Sequence, residues 1–215
     1  MSARETILQR IRERIDTSEQ REAAVEKRLR QRPAGPIPER ARGNSEMRVE
    51  RFREQARLAS AEITPIDPDQ GLAGLVDGLL PRRPESRSVV IDRDLEPDAA
   101  AWRRLDIDAR CGRADPGDAV GVSRAVCGVA ETGTVVLRSG SGKPTTAAFL
   151  PPVHVVVLAA ADIVGGYEDA WARLREQGAL PRTVNWITGP SRSADIEQTL
   201  NLGAHGPVRF LIALD

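Results

Sequence analysis

Ser191, Asp195 and His205 fall in one C-terminal stretch, TGPSRSADIEQTLNLGAHGP, directly after the apolar run VNWI. A hydroxyl, a carboxylate and an imidazole at the mouth of a strand can bind a small ligand and handle its protons. In open α/β sheets, ligands sit at the carboxyl ends of strands. Gly189, just ahead of Ser191, permits a tight turn, after which backbone amides can face an anion. The same residues also suit plain structure. Ser191 or Ser193 would cap a helix predicted over 194–200, and Asp195 would complement its dipole. Asp195 and Glu197 are two apart and point to different faces of such a helix, so they form no acid/base dyad. His205 is either a general acid or base or a partner of loop backbone; sequence leaves both open.

A second set lies in GVAETGTVVL, 128–137. Glu131 precedes a Thr132-Gly133-Thr134 turn, where a carboxylate can act as base or nucleophile or can satisfy backbone donors. Gly133 allows close approach of a ligand. His154 opens the strand within LPPVHVVVL and either caps its entry or lines the same cleft. Lys143, in SGSGKPT, has no P-loop spacing around it; the segment reads as a flexible loop, from which Lys143 could contact an anionic ligand.

These residues need a scaffold. SVVI, HVVVL, VNWI and VRFLIAL read as strands. The nearly continuous apolar run 154–164 suits a strand buried on both faces. Helices are predicted over 46–62, 72–80, 95–105 and 167–177, and a helix or turn over 122–126. A strand pair broken near 131–133 follows. Strands alternating with short helices predict an α/β fold with a mainly parallel, layered sheet. Ahead of it, 3–32 reads as one charged helix with a thin stripe of Ile7, Leu8, Ile11 and Ile15. The Pro-rich loop 32–45 cannot continue that helix. The expected organisation is an N-terminal helical arm and loop over 1–45 and an α/β domain over 46–215.

Composition removes several function classes. Basic and acidic residues number 31 each, so there is no basic footprint for nucleic acid. Aromatics make up 3%, too few for base-stacking platforms. Two cysteines, Cys111 and Cys127, cannot hold a Cys₄ iron–sulfur cluster, and no zinc-like spacing occurs. No apolar run reaches membrane-span length, and the charged N-terminus lacks a signal-peptide core. The expectation is a soluble cytoplasmic protein with no metal or cofactor of its own.

GVAETGTVVL, LPPVHVVVL and ITGPSRSADIEQTLNLGAHGP, in this order and spacing, closely resemble the lactate-utilisation protein C family, the LUD-domain group. The resemblance covers about 119–215. It implies a fold like ribose-5-phosphate isomerase and the coenzyme A transferases. It also implies a role in oxidising L-lactate to pyruvate, beside iron–sulfur partner proteins that carry the clusters. Glu131-Thr132-Gly133 resembles the glutamate with which CoA transferases accept an acyl group. On this resemblance, Glu131 and His205 are the candidate catalytic residues. Thr132, Gly133, Thr134, His154, Gly189, Ser191 and Asp195 would form a cleft for a small anionic ligand. Two other classes stay open: a metabolite-sensing or scaffolding module without turnover, and a stand-alone enzyme on an acyl-CoA or sugar phosphate.

Overall fold

Four apolar runs flanked by turns form the inner strands of one six-stranded sheet, with the more polar EITP and DARC at its edges. The computed structural model describes residues 2–14, 19–33, 35–82, 87–95, 99–194, 200–203 and 205–215. The chain divides into two compact units, Met1–Pro36 and Ile37–Asp215. The first holds α1 (Ala3–Arg14) and α2 (Glu19–Gln31), both charged throughout; residues 15–18 lie outside the described residues.

In chain order the second unit holds α3 (Ser45–Leu58), β1 (Glu62–Pro65), α4 (Gly71–Asp77), β2 (Ser88–Ile91), α5 (Ala99–Arg104), β3 (Asp108–Cys111) and β4 (Val120–Arg124). It continues with β5 (Cys127–Val129), β6 (Thr134–Arg138), β7 (Val153–Leu158), β8 (Ile163–Val164), α6 (Tyr167–Glu176) and β9 (Val184–Ile187). The chain closes with β10 (Arg192–Ala194), β11 (Leu200–Leu202) and β12 (Arg209–Leu214). One six-stranded sheet runs β1-β12-β7-β4-β2-β3 with every pairing parallel. A mixed four-stranded sheet runs β8-β5-β6-β9, and β10 pairs antiparallel with β11. The expected parallel α/β layering is borne out.

Period-two alternation builds the layers. Val155 and Val157 of β7, with Leu211 and Ala213 of β12, join α4 and α5 in one core. Their neighbours Val156, Leu158, Phe210 and Ile212 face the other way, onto Phe52 and Ala56 of α3 and Val135 and Leu137 of β6. The outer face of the mixed sheet is covered by Ala170 and Leu174 of α6. Asn44 starts α3 by accepting from the Met47 N–H at 2.9 Å. Of the apolar positions in α3, Phe52 and Ala56 are inward, whereas Met47 is 52% exposed.

Several expectations are corrected. Residues 122–126 are not a helix or turn: Val122 to Arg124 finish β4 in the middle of the parallel sheet. The run 154–164 is not one strand; it splits into β7 and, in the other sheet, β8. Of the helix expected over 194–200, only the two end residues are described, and these, Ala194 and Leu200, belong to antiparallel strands. Residues 195–199 between them lie outside the described residues.

Candidate functional site

The C-terminal turn lines a cavity of about 230 Å³, mostly apolar, walled by Phe149, Trp186 and Phe210. His154, Gly189, Ser191 and His205 all line it. The Ser191 N–H donates to the Pro207 carbonyl and the Gly203 N–H to the Ser191 carbonyl, both at 3.0 Å, so the two loops are stitched together. Ser191 immediately precedes a strand, Arg192–Ala194, and not a helix among the described residues. Asp195 lies outside the described residues. His205 is exposed, and His154 is fully buried. Burial pushes the His154 imidazole down to about 3, so it is neutral at physiological pH.

Thr132 and Thr134 do not line this cavity; their hydroxyls connect to Thr188, which does. Thr132 Oγ1 lies 2.7 Å from Thr134 Oγ1 and 2.9 Å from the Tyr167 hydroxyl. Thr134 Oγ1 lies 3.1 Å from the Tyr167 hydroxyl and 2.6 Å from Thr188 Oγ1. Four contacts need four protons, and four hydroxyls supply one each. Thr188 has a single contact in the set, so it must donate to Thr134. The other three then donate around a ring. Thr188, which lines the cavity, is left with lone pairs only.

Glu131 and Gly133 are placed differently. Glu131 is 8% exposed, and its Oε1 accepts from Arg40 Nε at 3.0 Å and Nη2 at 2.8 Å. It does not line the cavity, and in this position it holds the 39–41 turn. Arg40 is mostly solvated, which weakens the pair. Arg40→Ala should lower stability by about 1 kcal/mol, read as a thermal-midpoint fall of about 2–4 °C. No fall would mean that the pair holds nothing. Gly133 has its φ at +67° and packs against the backbone of α3 at Gln55 and Ala56.

A second cleft, of about 400 Å³, opens at the carboxyl ends of the parallel strands; of its lining, sequence reading points only to Lys143 as an anion contact. Arg124 ends β4 there, and Asp92 directly follows β2. Arg138 ends β6 of the other sheet. The cleft is lined by Arg124, Arg138, Lys143 and Arg173 against two carboxylates, Asp94 and Asp162. Lys143 pairs with Asp94, and Arg173 with Asp162. Among the described residues the Arg138 guanidinium donates only to the neutral Gln177 amide, at 2.7 Å. Among the described residues the Arg124 guanidinium has no hydrogen bond or ion pair, while its backbone N–H donates to Asp92 Oδ2 at 3.0 Å. Asp92 lines the adjoining recess with Ser123, Arg138 and Lys143. Burial pushes its carboxyl up to about 6, against the opposing pull of the Arg124 N–H and of the Lys143 and Arg124 charges. By contrast, no Lys, Arg, Asp or Glu lines the apolar cavity among the described residues. That cavity flanks the amino-terminal halves of β7 and β12, at His154 and Phe210.

The LUD domain model matches residues 81–214, more than half of the chain. The chain belongs to the LUD domain family. A Geobacillus sp. (strain WCH70) protein named lactate utilization protein C is 42% identical over 102 residues, covering 45% of this chain and 42% of that protein. A Shouchella clausii protein of the same name is 34% identical over 116 residues, covering 53% and 50%. An uncharacterized Neisseria meningitidis protein is 36% identical over 145 residues, covering 65% and 60%. The chain thus spans about half the length of the curated relatives it matches. A crystal structure of a DUF162 family protein from Deinococcus radiodurans superposes with a TM-score of 0.55 at 17% identity, covering 80% of this chain and 99% of that one. That likeness speaks for fold alone. The LUD resemblance of the three C-terminal motifs is borne out. No helix among the described residues of this LUD protein is long and apolar enough to cross a membrane.

Proposed function

We propose that this LUD protein serves lactate utilisation as a component without a cluster of its own, beside iron–sulfur partner proteins. In this reading its basic cleft binds a small carboxylate such as L-lactate or pyruvate. Two relatives are named for lactate utilisation. One observation carries the ligand class: Arg124 and Arg138 face the cleft, and among the described residues neither guanidinium is hydrogen-bonded or ion-paired to a carboxylate. Two guanidinium groups without an ion pair in a partly desolvated recess favour a bound anion, and arginine suits carboxylates geometrically. Strand carboxyl ends are also where parallel sheets place ligands. Asp92 would be the proton-handling group of this cleft, with Glu131 an anchor for the 39–41 turn.

Calorimetric titration of L-lactate and pyruvate at low salt tests the cleft. Arg124→Gln should weaken binding about tenfold or more, roughly 1.4 kcal/mol, with the fold unchanged by circular dichroism. Absence of heat from both acids with the wild-type chain would remove the ligand reading. The partner reading is tested separately, by anaerobic purification of the tagged chain from its own cells grown on L-lactate after mild cross-linking. Iron-bearing proteins should come with it, and an iron-free eluate would count against a complex.

A further inference from the structure

We infer that the N-terminal unit is a dimerisation element: its helical segment pairs with the same segment of a second copy of this chain, in a parallel coiled coil. The inference is independent of the ligand reading of the basic cleft.

Among the described residues of this unit, none of the apolar stripe is buried. Leu8 and Ile11 of α1 are 39% and 47% exposed, and Val25 and Leu29 of α2 are 43% and 67% exposed. The two helices therefore do not cover their stripes on each other. Helices of about 12–15 residues or fewer are marginal in water on their own, and these have 12 and 13. Such helices gain their stability from an apolar face set against a partner.

The spacing gives the geometry of that partner. Leu8, Ile15, Glu22 and Leu29 recur every seven residues, and Ile11, Ser18 and Val25 follow the first three of them by three. These are the a and d positions of a heptad, the seam of a coiled coil. Residues 15–18 lie outside the described residues and enter through the sequence alone. Ser18 and Glu22 are the polar layers of the seam, which cost stability and fix register. The flanks choose the direction. At g stand Arg14, Arg21 and Arg28, and at e stand Arg12, Glu19 and Glu26. In a parallel pair each g meets the e of the following heptad on the other chain. Arg21 of one copy then falls opposite Glu26 of the other, and one heptad earlier the sequence repeats the match with Arg14 and Glu19. Each match occurs twice by the twofold axis. An antiparallel pair would set g against g, arginine against arginine at every step, which like-charge repulsion opposes. One segment carries both halves of the parallel pattern, so the partner that fits it is a second copy.

Sedimentation equilibrium of the full chain tests this. The wild type should show a monomer–dimer equilibrium with a dissociation constant of about 10 µM. Ile11→Glu puts a charge in the seam and should leave only monomer at about 200 µM, roughly twentyfold above that constant, with the thermal midpoint unchanged because Ile11 is exposed within its own chain. Glu22→Leu should tighten the dimer about tenfold. Arg21→Glu and Glu26→Arg should each weaken it as single variants, by setting like charges across the seam. An equimolar mixture of the two should recover wild-type association, since the mixed dimer restores both matches and only in parallel register. A wild type that stays monomeric, a dimer indifferent to Ile11→Glu, or a mixture no tighter than its single variants would each overturn the inference. Iron-bearing proteins retrieved by a monomeric wild type and lost with Ile11→Glu would assign the segment to them instead.

Discussion

Gly133→Ala should lower the thermal midpoint by about 10 °C. The position has φ +67°, the left-handed region, which costs an alanine about 1–2 kcal/mol. An added Cβ would also lie 2.2 Å from the Ala56 nitrogen and 2.6 Å from both Ala56 Cα and the Gln55 carbonyl carbon. These are backbone atoms of α3 and cannot rotate away. Overpacking of this kind costs about 1–3 kcal/mol. The sum, about 3–4 kcal/mol, corresponds to about 10 °C at 2–4 °C per kcal/mol for a chain of this length. Thermal unfolding followed by circular dichroism reads it. L-lactate affinity, measured well below the midpoint, should be unchanged, because Gly133 does not line the basic cleft. A midpoint within 2 °C of the wild type would mean that α3 does not press on this turn. Lost affinity with an unchanged midpoint would return Gly133 to the ligand-contact role that the ETGT motif suggests. Stability and binding therefore separate the two explanations for one glycine.

The sequence showed best what lies deepest. SVVI, HVVVL and RFLIAL are strands buried in the parallel sheet, and their apolar runs are nearly unbroken. The edge strands were harder. EITP and DARC each have only four residues, none of them buried, so neither carries a clear pattern. VGVSR was misread because Ser123 and Arg124 interrupt its apolarity. Those two residues are the ones that matter: Ser123 Oγ meets His154 Nε2 at 3.1 Å, and Arg124 ends the strand in the cleft. The cleft itself draws on two sheets, through Arg124 and Arg138, which no local spacing connects. A usable signal was present, in that each arginine closes a short apolar strand, VGVSR and TVVLR. The C-terminal turn drew attention because VNWI looked like a strand of the parallel sheet. It belongs to the mixed sheet instead, so the carboxyl-end rule did not apply to the turn after it.

Asp92→Asn should stabilise the protein at pH 7.5 by about 2 kcal/mol, and the gain should vanish by pH 4. Burial raises the Asp92 carboxyl from 3.8 to about 6 in the folded chain. A folded-state pKa above the unfolded value means that the native state binds the proton more tightly. Above pH 6 the wild type carries a buried carboxylate, at a cost of about 3 kcal/mol for this shift. That cost is relieved as pH falls through 6 and is gone below the unfolded value. Asparagine never ionises, but its amide donors need partners, which reduces the gain to about 2 kcal/mol. His154, with a folded pKa of about 3, works in the opposite sense: the stability it gives above pH 6.5 is lost as pH falls. Both proteins share that loss, so the difference between their urea midpoints isolates Asp92. The same proton should govern the ligand. Ionised Asp92 opposes the field of Arg124, Lys143 and Arg138 and adds to that of Asp94. L-lactate affinity of the wild type should therefore rise as pH falls from 7.5 to 5, while Asp92→Asn holds the higher affinity throughout. If the variant binds L-lactate at pH 7.5 no better than the wild type, Asp92 is electrostatically remote from the ligand. If it binds more tightly but no longer supports growth on L-lactate, the carboxylate is needed for its proton and not for binding.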